Sequence, residues 1–232
     1  MHTLFLLPGL LCDQRVWLHQ QQGLRDVVDI RIPDFRHYDS LDTMADAVLA
    51  TAPAEFSVAG HSMGGRVALA ILNKAPERIR KLGLLNTGLH PPAQGEAAKR
   101  QVLIDLAASA GMAAMARSWA PPMVHPARHA DAAFMQRIYD MVESYSLESF
   151  KNQIRALLGR PDAAPFLAKA PRGALVLCGR EDVWSPPAQH EAIARALPDH
   201  PPVTLIDHCS HMSLMEQPEA VTAAMRQWLL AD

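Results

Sequence analysis

The sequence predicts an α/β fold with a mostly parallel central sheet and helices on both faces. Short strand-like runs, rich in leucine and β-branched residues, alternate with longer segments of helical spacing, the order that produces parallel strands joined by helices. Several of these runs are almost continuously apolar, as strands buried on both faces must be. One long segment, residues 90–165, contains no convincing strand and interrupts the alternation.

Six segments are predicted strands: residues 3–7, 27–32, 56–59, 81–86, 174–178 and 203–206. Four amphipathic helices are predicted between or after them, because apolar side chains three and four residues apart share one helix face. These helices are residues 41–50, 64–74, 188–196 and 219–230.

The strandless segment is predicted to be a helical lid (cap) inserted into the core. Its Ala-, Met- and Arg-rich patterns are interrupted by Pro91-Pro92, Pro121-Pro122 and Pro161, which favour joints between short helices. A chain of 232 residues is long enough for one domain with a full hydrophobic core. We expect residues 1–89 and 166–232 to form that core and residues 90–165 to form the lid.

Composition and charge narrow the classes of partner. The chain is 49% hydrophobic and 20% charged with a net charge of -2, so it lacks the basic field that nucleic acid or an anionic membrane requires. No apolar stretch approaches the ~20 residues of a membrane span. The three cysteines, Cys12, Cys178 and Cys209, are odd in number and far apart, which favours a reducing compartment over a disulfide framework. We expect a soluble, cytoplasmic protein.

A Gly-x-Ser-x-Gly motif connects a predicted strand to a predicted helix, with Ser62 between Gly60 and Gly64. Glycines suit these positions because a nucleophile on a tight strand-to-helix turn leaves no room for flanking side chains. The alternative is a turn whose serine only caps the helix. The order of strand, motif and helix favours Ser62 as the nucleophile.

A serine nucleophile requires a base and an acid that orients the base. In the chain order Ser, acid, His, the loop after the fifth strand offers Asp182 and its neighbour Glu181. Asp182 is favoured because it directly precedes the turn into the next helix, whereas Glu181 is expected to point to solvent. The end of the fourth strand carries only the non-ionisable Asn86 and Thr87.

Two histidines compete for the role of base in the loop after the last strand. His211 is favoured because it lies immediately before the segment leading into the last helix, and His208 is the fallback. His61, inside the nucleophile motif, is expected to be a structural neighbour.

Two backbone N–H groups should stabilise an oxyanion. Met63 follows the nucleophile, and Leu10 follows Pro8-Gly9 after the first strand, so these two amides are the candidates. Pro8-Gly9 could instead be only a turn.

Together these residues resemble the α/β-hydrolases, in particular the small carboxylesterase-like group that includes the pimeloyl-acyl-carrier-protein methyl ester esterases. The carriers are residues 7–11 (Leu-Pro-Gly-Leu-Leu), 60–65 (Gly-His-Ser-Met-Gly-Gly), 179–182 (Gly-Arg-Glu-Asp), 185–187 (Ser-Pro-Pro) and 210–218 (Ser-His-Met-Ser-Leu-Met-Glu-Gln-Pro). Residues 33–40 lack the Pro-Gly-x-Gly-x-Ser turn of many relatives, and Ser210 replaces a usual glycine. The resemblance implies an α/β-hydrolase fold with a helical lid, acting on carboxylic esters.

The resemblance also implies a mechanism. Ser62, Asp182 and His211 would form the catalytic triad, with water as co-substrate and no metal or organic cofactor. A serine nucleophile argues against the dehalogenase and epoxide hydrolase branches. Alternatives remain open: the same triad acting on a carbon–carbon bond, lactone or amide, or in perhydrolysis, and a non-catalytic ligand-binding protein of the same fold.

The lid is expected to determine the substrate. Its apolar residues are Met112, Met115, Met123, Met135, Met141, Trp119, Phe134, Tyr139 and Tyr145. Such a stripe is more often core packing, but an adaptable apolar cover over the site suggests a small to medium, largely apolar ester. The lid arginines are Arg100, Arg117, Arg128, Arg137 and Arg155. They favour a solvated helix face, while a substrate carboxylate or a carrier-protein-bound substrate stays open. The sequence does not indicate an oligomeric state.

Overall fold

The structure, a computed structural model, describes residues 2–231. Its strands are β1 (His2–Leu7), β2 (Val28–Arg31), β3 (Phe56–His61), β4 (Ile79–Leu85), β5 (Leu175–Gly179) and β6 (Val203–Ile206). They form one sheet in the order β2-β1-β3-β4-β5-β6, and every neighbouring pair is parallel. The predicted parallel sheet is confirmed, with strand ends within two residues of those expected.

The apolar strands lie in the core because helices cover both faces of the sheet. Leu4 and Leu6 of β1 and Val58 of β3 are fully buried, as are Leu82 and Leu84 of β4. Burial of alternate and adjacent side chains alike explains why these runs lack the polar alternation of a half-exposed strand.

Within residues 2–231, nine α-helices follow or connect the strands. They are α1 (Leu18–Leu24), α2 (Leu41–Thr51), α3 (Met63–Lys74), α4 (Glu96–Trp119), α5 (Ala132–Glu143), α6 (Leu147–Leu158), α7 (Pro187–Ala196), α8 (Ser213–Glu216) and α9 (Pro218–Leu230). The predicted helices correspond to α2, α3, α7 and α9. Helices α1 and α8 were not predicted, because seven and four residues are too few for a clear periodic pattern.

Two groups of helices pack on the sheet. Helix α2 packs on α3, and the 3-10 turn Ala164–Lys169 contacts both α3 and α7, while α1 packs on α8 and α9. Helix α2 shows how the sequence directs this packing: Ser40 caps its first turn by accepting from the amide of Asp42 at 3.2 Å, and Leu41, Met44 and Val48 form its buried face.

The chain between β4 and β5 contains helices but no strand: α4, α5 and α6 are joined by loops and short 3-10 turns. Helix α4 packs on both α5 and α6. Its course breaks at Gly111, whose φ of 85° and ψ of 167° are not helical, so α4 is two helical pieces. We refer to residues 90–165 as the helical segment.

The strand order reverses between β1 and β3, where the chain changes its direction of progress across the sheet. Leu7 of β1 is paired with Gly60 of β3, so the loops that follow these strands lie side by side. In open parallel sheets ligands bind at this kind of position, beyond the carboxyl ends of the strands. The fold therefore brings the loop containing Leu10 next to Ser62.

Candidate active site

Ser62 lies on the sharp turn between β3 and α3. Its φ of 54° and ψ of −115° are unfavourable for a residue with a side chain. The surrounding hydrogen bonds hold this geometry: the amide of Ser62 donates to the carbonyl of Leu85 at 3.0 Å, and the hydroxyl of Thr87 donates to the carbonyl of Ser62 at 2.8 Å. The Ser62 side chain makes no helix-capping bond, so the alternative of a mere capping serine is wrong.

The two motif glycines are required by close backbone contacts. A Cβ on Gly60 would lie 2.2 Å from the carbonyl oxygen of Gly64, and a Cβ on Gly64 would lie 2.1 Å from the carbonyl oxygen of Leu7. Real Cβ atoms do not approach backbone atoms this closely, so neither position accepts a side chain without movement of the turn. The glycines thus allow α3 to start directly against the ends of β1 and β3.

His211 bridges the two other candidate catalytic residues. Its Nε2 lies 2.8 Å from Oγ of Ser62, and its Nδ1 lies 2.9 Å from Oδ2 of Asp182. A carboxylate only accepts, so Nδ1 carries the proton and Nε2 is free to accept the serine proton. His211 and Asp182 are 5% and 2% exposed, so this contact is shielded from water.

The carboxylate of Asp182 is held by its own loop. Its Oδ1 accepts the amides of Trp184 at 2.8 Å and Ser185 at 2.9 Å. Burial raises the pKa of Asp182, but the charge and hydrogen bond of His211, together with these amides, outweigh it and lower the pKa to about 2. The acid therefore stays ionised next to the imidazole over the physiological pH range.

Asn86, at the end of β4, is a site residue that the sequence reasoning missed. Its Nδ2 donates to Oδ2 of Asp182 at 2.9 Å and to the carbonyl of Ser210 at 3.2 Å, and its Oδ1 accepts from the hydroxyl of Ser213 at 2.6 Å. It is fully buried, with a φ of 47°. The available signal is a polar residue at the carboxyl end of a central strand. Its side chain cannot serve as the acid, but it can form hydrogen bonds with the acid.

The sequence analysis expects Glu181 to point to solvent, but Glu181 contacts the loop that follows β6. Its Oε2 accepts the amide of Cys209 at 3.2 Å, and its carbonyl accepts the hydroxyl of Ser210 at 3.1 Å. The expectation was wrong because the loops after β5 and β6 are adjacent and their amides need acceptors. The structure keeps Glu181 away from His211 and places the alternative base, His208, at an exposed position.

Glu216 of α8 is the second missed residue. Its carboxylate is 3% exposed and accepts the amide of Ser210 at 2.9 Å and that of His125 at 2.9 Å. Burial raises the pKa of Glu216 against the effect of these amides. Glu216 joins the loop of His211 to the helical segment. The backbone amide of Ser210 donates to Glu216, and the backbone carbonyl of Ser210 accepts from Asn86, so both polar groups of its backbone are bonded.

His61 packs against His211, and its ring forms no hydrogen bond with the hydroxyl of Ser62 among residues 2–231. Its Nε2 donates to the carbonyl of His211 at 2.8 Å, and the two rings lie 5.3 Å apart. Burial, followed by the nearby His211, lowers the pKa of His61 to about 3. His61 is therefore a neutral ring that supports the backbone of His211.

Leu10 and Met63 line the same cavity as Ser62 and His211. Neither amide donates to another group within residues 2–231. The neighbouring amides are occupied: that of Leu11 donates to Oε1 of Gln153 on α6 at 2.8 Å, and that of Cys12 donates to the carbonyl of Gly9 at 3.1 Å. Hydrogen bonds thus hold the loop on both sides of Leu10, while the Leu10 amide has no acceptor among residues 2–231.

The cavity above Ser62 has a volume of about 500 Å³, within the range of small-molecule sites. One part of its wall is apolar and comes from the helical segment: Leu103, Trp119, Met123, Ile154 and Leu157. Another part is charged: Arg66, Lys99, Arg100, Arg160 and Glu96. The helical segment therefore supplies most of the apolar wall of the cavity.

Most of the apolar residues singled out in the helical segment are packed in its interior. Met115, Met135 and Met141 are at most 3% exposed and do not line the cavity, whereas Trp119 and Met123 do.

Among residues 2–231 there is no group of three or more His, Cys, Asp or Glu side chains arranged to hold a metal ion. None of the helices in that range has the length and hydropathy of a membrane span.

Comparisons with known proteins give this chain's relatives. A family model described as the alpha/beta hydrolase family matches residues 4–224. The chain is 31% identical over 252 aligned positions to the dihydrolipoyllysine-residue acetyltransferase component of the acetoin cleaving system of Pseudomonas putida. That match covers 97% of this chain but 63% of the relative, so the chain spans less than two thirds of that relative's length.

Two further matches are to esterases. The pimeloyl-[acyl-carrier protein] methyl ester esterase of Nitrosomonas europaea is 43% identical over 47 residues, which are 20% of this chain and 19% of that protein. The structure of a thermophilic esterase from Thermogutta terrifontis, with malate bound, superposes with a TM-score of 0.89 at 26% identity and covers 99% of this chain and 89% of that chain. These matches agree with the resemblance inferred from the motifs.

Proposed function

The chain belongs to the alpha/beta hydrolase family, and on that premise we propose that it is a serine hydrolase that cleaves a carboxylic ester of a small to medium, largely apolar substrate. The predicted α/β-hydrolase fold is confirmed by the family match and by the similarity to the esterase structure. The residues that carry the reaction, and the ester bond itself, are our proposal.

In this proposal His211 removes the proton of Ser62 while Oγ attacks the ester carbonyl carbon. The tetrahedral intermediate collapses as the bond to the alcohol oxygen breaks, and His211 returns its proton to that oxygen. The acyl group then remains on Ser62. Water, deprotonated by His211, then attacks the acyl carbonyl. As the bond to Oγ breaks, His211 returns that proton to Oγ, which releases the acid and restores Ser62.

The amides of Leu10 and Met63 would bind the oxyanion in both tetrahedral intermediates. Their value in the proposal comes from preorganisation: Leu10 lies on a loop already fixed by Gln153, and Met63 is the first residue of α3. Donors that need no reorientation during the reaction stabilise developing charge more than water can. Asp182 would hold the imidazole in place and stabilise its protonated form.

The observation that carries the proposal is the pair of distances at His211, 2.8 Å to Ser62 and 2.9 Å to Asp182. Three residues separated by at least 29 positions meet in the geometry that activates a serine. The apolar part of the cavity wall supports the choice of a largely apolar substrate.

The test is covalent labelling combined with turnover. The protein is incubated with a fluorophosphonate, the adduct is located by mass spectrometry, and p-nitrophenyl esters of increasing acyl length are assayed. We expect a single adduct on Ser62 and loss of both labelling and turnover in Ser62→Ala. The matched control is Ser109→Ala, at an exposed serine of α4, which should behave like the unaltered protein.

Each outcome bears on a different part of the proposal. An adduct elsewhere, or full esterase activity in Ser62→Ala, would contradict the nucleophile. Labelling of Ser62 without turnover of any ester would favour a ligand-binding protein of the same fold. Better turnover of a lactone, an amide or a carbon–carbon substrate than of any ester would replace the bond that we propose.

A second candidate is acyl transfer to an acceptor other than water. The relative from Pseudomonas putida is named as an acetyltransferase component, and an acyl-enzyme can in principle react with a thiol or alcohol instead of water. Adding a thiol to the ester assay and measuring the partition between free acid and thioester distinguishes the two. Ester hydrolysis predicts that free acid remains the main product.

The three cysteines within the described residues are all unpaired and buried. This agrees with a reducing compartment, and we propose the cytoplasm as the location. A small-molecule ester and water are the partners that the proposed reaction requires.

A further inference from the structure

Besides Lys99, the charged part of the cavity wall consists of three guanidinium groups and one carboxylate, which we call the arginine cluster: Arg66, Arg100, Arg160 and Glu96. Glu96 is bonded to two of them. Arg160 contacts both of its oxygens, at 2.8 and 2.6 Å, and Arg100 contacts Oε1 at 2.7 Å. Burial raises the pKa of Glu96, but these two arginines outweigh it and lower the pKa to about 2. The carboxylate of Glu96 is therefore ionised and fully used by Arg100 and Arg160.

Arg66 has no carboxylate partner. No ion pair of this arginine occurs among residues 2–231, and its single hydrogen bond runs from Nη1 to the carbonyl of His90 at 3.0 Å. A guanidinium offers five N–H donors, so most of those on Arg66 are unused. Burial, followed by the charge of Arg160, lowers the pKa of Arg66 to about 9. At neutral pH the cavity wall thus holds a guanidinium charge that Glu96 attracts without forming an ion pair with it among residues 2–231.

The position of Arg66 relates this charge to the site of reaction. Arg66 lies four residues after Ser62, in the first turn of α3, and its amide donates to the carbonyl of Ser62 at 3.3 Å. The two residues are therefore about one helical turn apart. The Nη2 of Arg66 reaches Gly88, where a Cβ would lie 3.2 Å away. The absence of a side chain at Gly88 leaves room for the guanidinium beside the cavity.

The rest of the cavity wall restricts which ligand can carry an anion to Arg66. Besides the arginine cluster and Ser62, the cavity wall presents apolar side chains, including Leu103, Trp119 and Leu157. A volume of about 500 Å³ accommodates a short chain but leaves little room for a nucleotide-sized group. The complementary ligand is a short apolar chain with a reactive carbonyl at one end and an anion at the other.

We propose that the substrate carries a carboxylate, and that Arg66 binds it while Ser62 attacks the ester carbonyl of the same molecule. This inference rests on the proposed function and extends it, since it changes the substrate from a neutral ester to the monoester of a short dicarboxylic acid. Arg100 and Arg160 add to the positive field but remain bonded to Glu96. Planar bidentate bonding suits a guanidinium to a carboxylate.

The test compares esters that differ only at the far end of the chain. Monomethyl adipate and methyl hexanoate have the same ester and chain length, with a carboxylate in one and a methyl group in the other. We expect kcat/KM to favour the carboxylate-bearing ester, and Arg66→Gln to reduce that preference about tenfold or more, since a charge-assisted hydrogen bond is lost. Arg66→Lys should keep part of the preference, and Arg195→Gln, at an exposed arginine of α7, should keep all of it.

A binding measurement separates failure of this inference from failure of the proposed function. In Ser62→Ala, thermal melts with adipate should show a rise in Tm that is absent in the Ser62→Ala, Arg66→Gln double variant and absent with inorganic phosphate at the same concentration. If methyl hexanoate is hydrolysed but the preference does not depend on Arg66, the inference is wrong and the esterase stands. If no ester is hydrolysed, the melts still decide: no effect of adipate, or an equal effect of phosphate, overturns the carboxylate site.

Discussion

The side-chain amide of Asn86 donates to Oδ2 of Asp182, the same carboxylate oxygen that accepts the hydrogen bond from Nδ1 of His211. This amide also holds the carbonyl of Ser210, the residue before His211. Asn86 therefore fixes both the acid and the backbone next to the base. Asn86 follows β4, and β4 pairs with both β3, which precedes Ser62, and β5, which precedes Asp182. The sheet therefore fixes the position of Asn86 relative to these two residues.

Replacing Asn86 by alanine should lower kcat more than it changes KM. The variant loses two donated bonds and the acceptor for Ser213, so Asp182 can rotate and His211 is less well oriented. We expect a decrease in kcat of roughly tenfold and a loss of about 1–3 kcal/mol in the free energy of unfolding. Steady-state kinetics and urea denaturation measure these effects. Asn73→Ala, at an exposed position of α3, is the control, and an unchanged kcat in Asn86→Ala would argue against this role.

Asp182→Asn should abolish most of the activity without unfolding the protein. The amide keeps the size of the side chain but favours the wrong tautomer of His211, which in serine-histidine-aspartate triads lowers kcat on the order of 10⁴. The measurement is kcat for the best ester of the panel, with circular dichroism to verify folding. Glu181→Gln is the matched control, because Glu181 contacts Cys209 and not His211. Comparable losses in both variants would contradict the assignment of the acid.

Acid should destabilise the protein partly through Asp182. Its pKa is about 2 in the folded protein against an ordinary value of 3.8, so the unfolded chain binds more protons between these values. The stabilisation is present above about pH 4 and is lost as the pH falls through about 2, with a contribution of about 2 kcal/mol. Urea denaturation from pH 5 to pH 2 should show a shallower pH dependence in Asp182→Asn, whereas Asp105→Asn, at an exposed carboxylate, should follow the unaltered protein.

Gln153 of α6 should position the loop that contains Leu10. Gln153 is fully buried, accepts the amide of Leu11 at 2.8 Å and donates to the carbonyl of Phe35 at 3.3 Å. In Gln153→Leu the Leu11 amide is left without an acceptor, at a cost of about 1–3 kcal/mol, and the adjacent Leu10 amide loses its fixed direction. We expect kcat to fall while KM changes little. An equal fall in Gln136→Leu, at an exposed glutamine of α5, would show that the effect is not specific to this contact.

Thiol reagents should not inactivate the folded protein. Burial raises the pKa of Cys12 and of Cys178 to about 12, and burial also raises the pKa of Cys209. The reactive thiolate form is therefore scarce at neutral pH. We expect iodoacetamide at pH 7.5 to leave ester turnover intact and to modify all three cysteines only in denaturant, as followed by mass spectrometry. Rapid inactivation that parallels modification of one cysteine would contradict this prediction.

Much of the site was readable because its signals are local. The Gly-x-Ser-x-Gly turn brings its own steric reason for two glycines, and the loops with Asp182 and His211 each follow a recognisable strand. The structure brings Ser62, Asp182 and His211 together, and Leu10 and Met63 line the same cavity as Ser62. His208 and Glu181, the alternatives, lie where they do not contact the nucleophile.

Other contacts were not predictable because no local pattern encodes them. Asn86 meets Asp182 across 96 positions of sequence, and Gln153 meets Leu11 across 142. A single asparagine or glutamine has no periodicity or spacing that names its partner, and the partner is decided by which buried amide lacks an acceptor once the chain is packed.

The parallel sheet, the turn at Ser62 and the order of the candidate catalytic residues could be predicted from the sequence. Their signals are apolar runs, glycines and strand ends, and each of these is contained in a few neighbouring residues. The packing of the folded chain decided which residues of the helical segment line the cavity and which pack inside. It also decided that Glu96 pairs with Arg100 and Arg160 while Arg66 has no carboxylate partner. Charge balance in a cavity is a property of the groups that folding brings together, and their spacing along the chain does not reveal it.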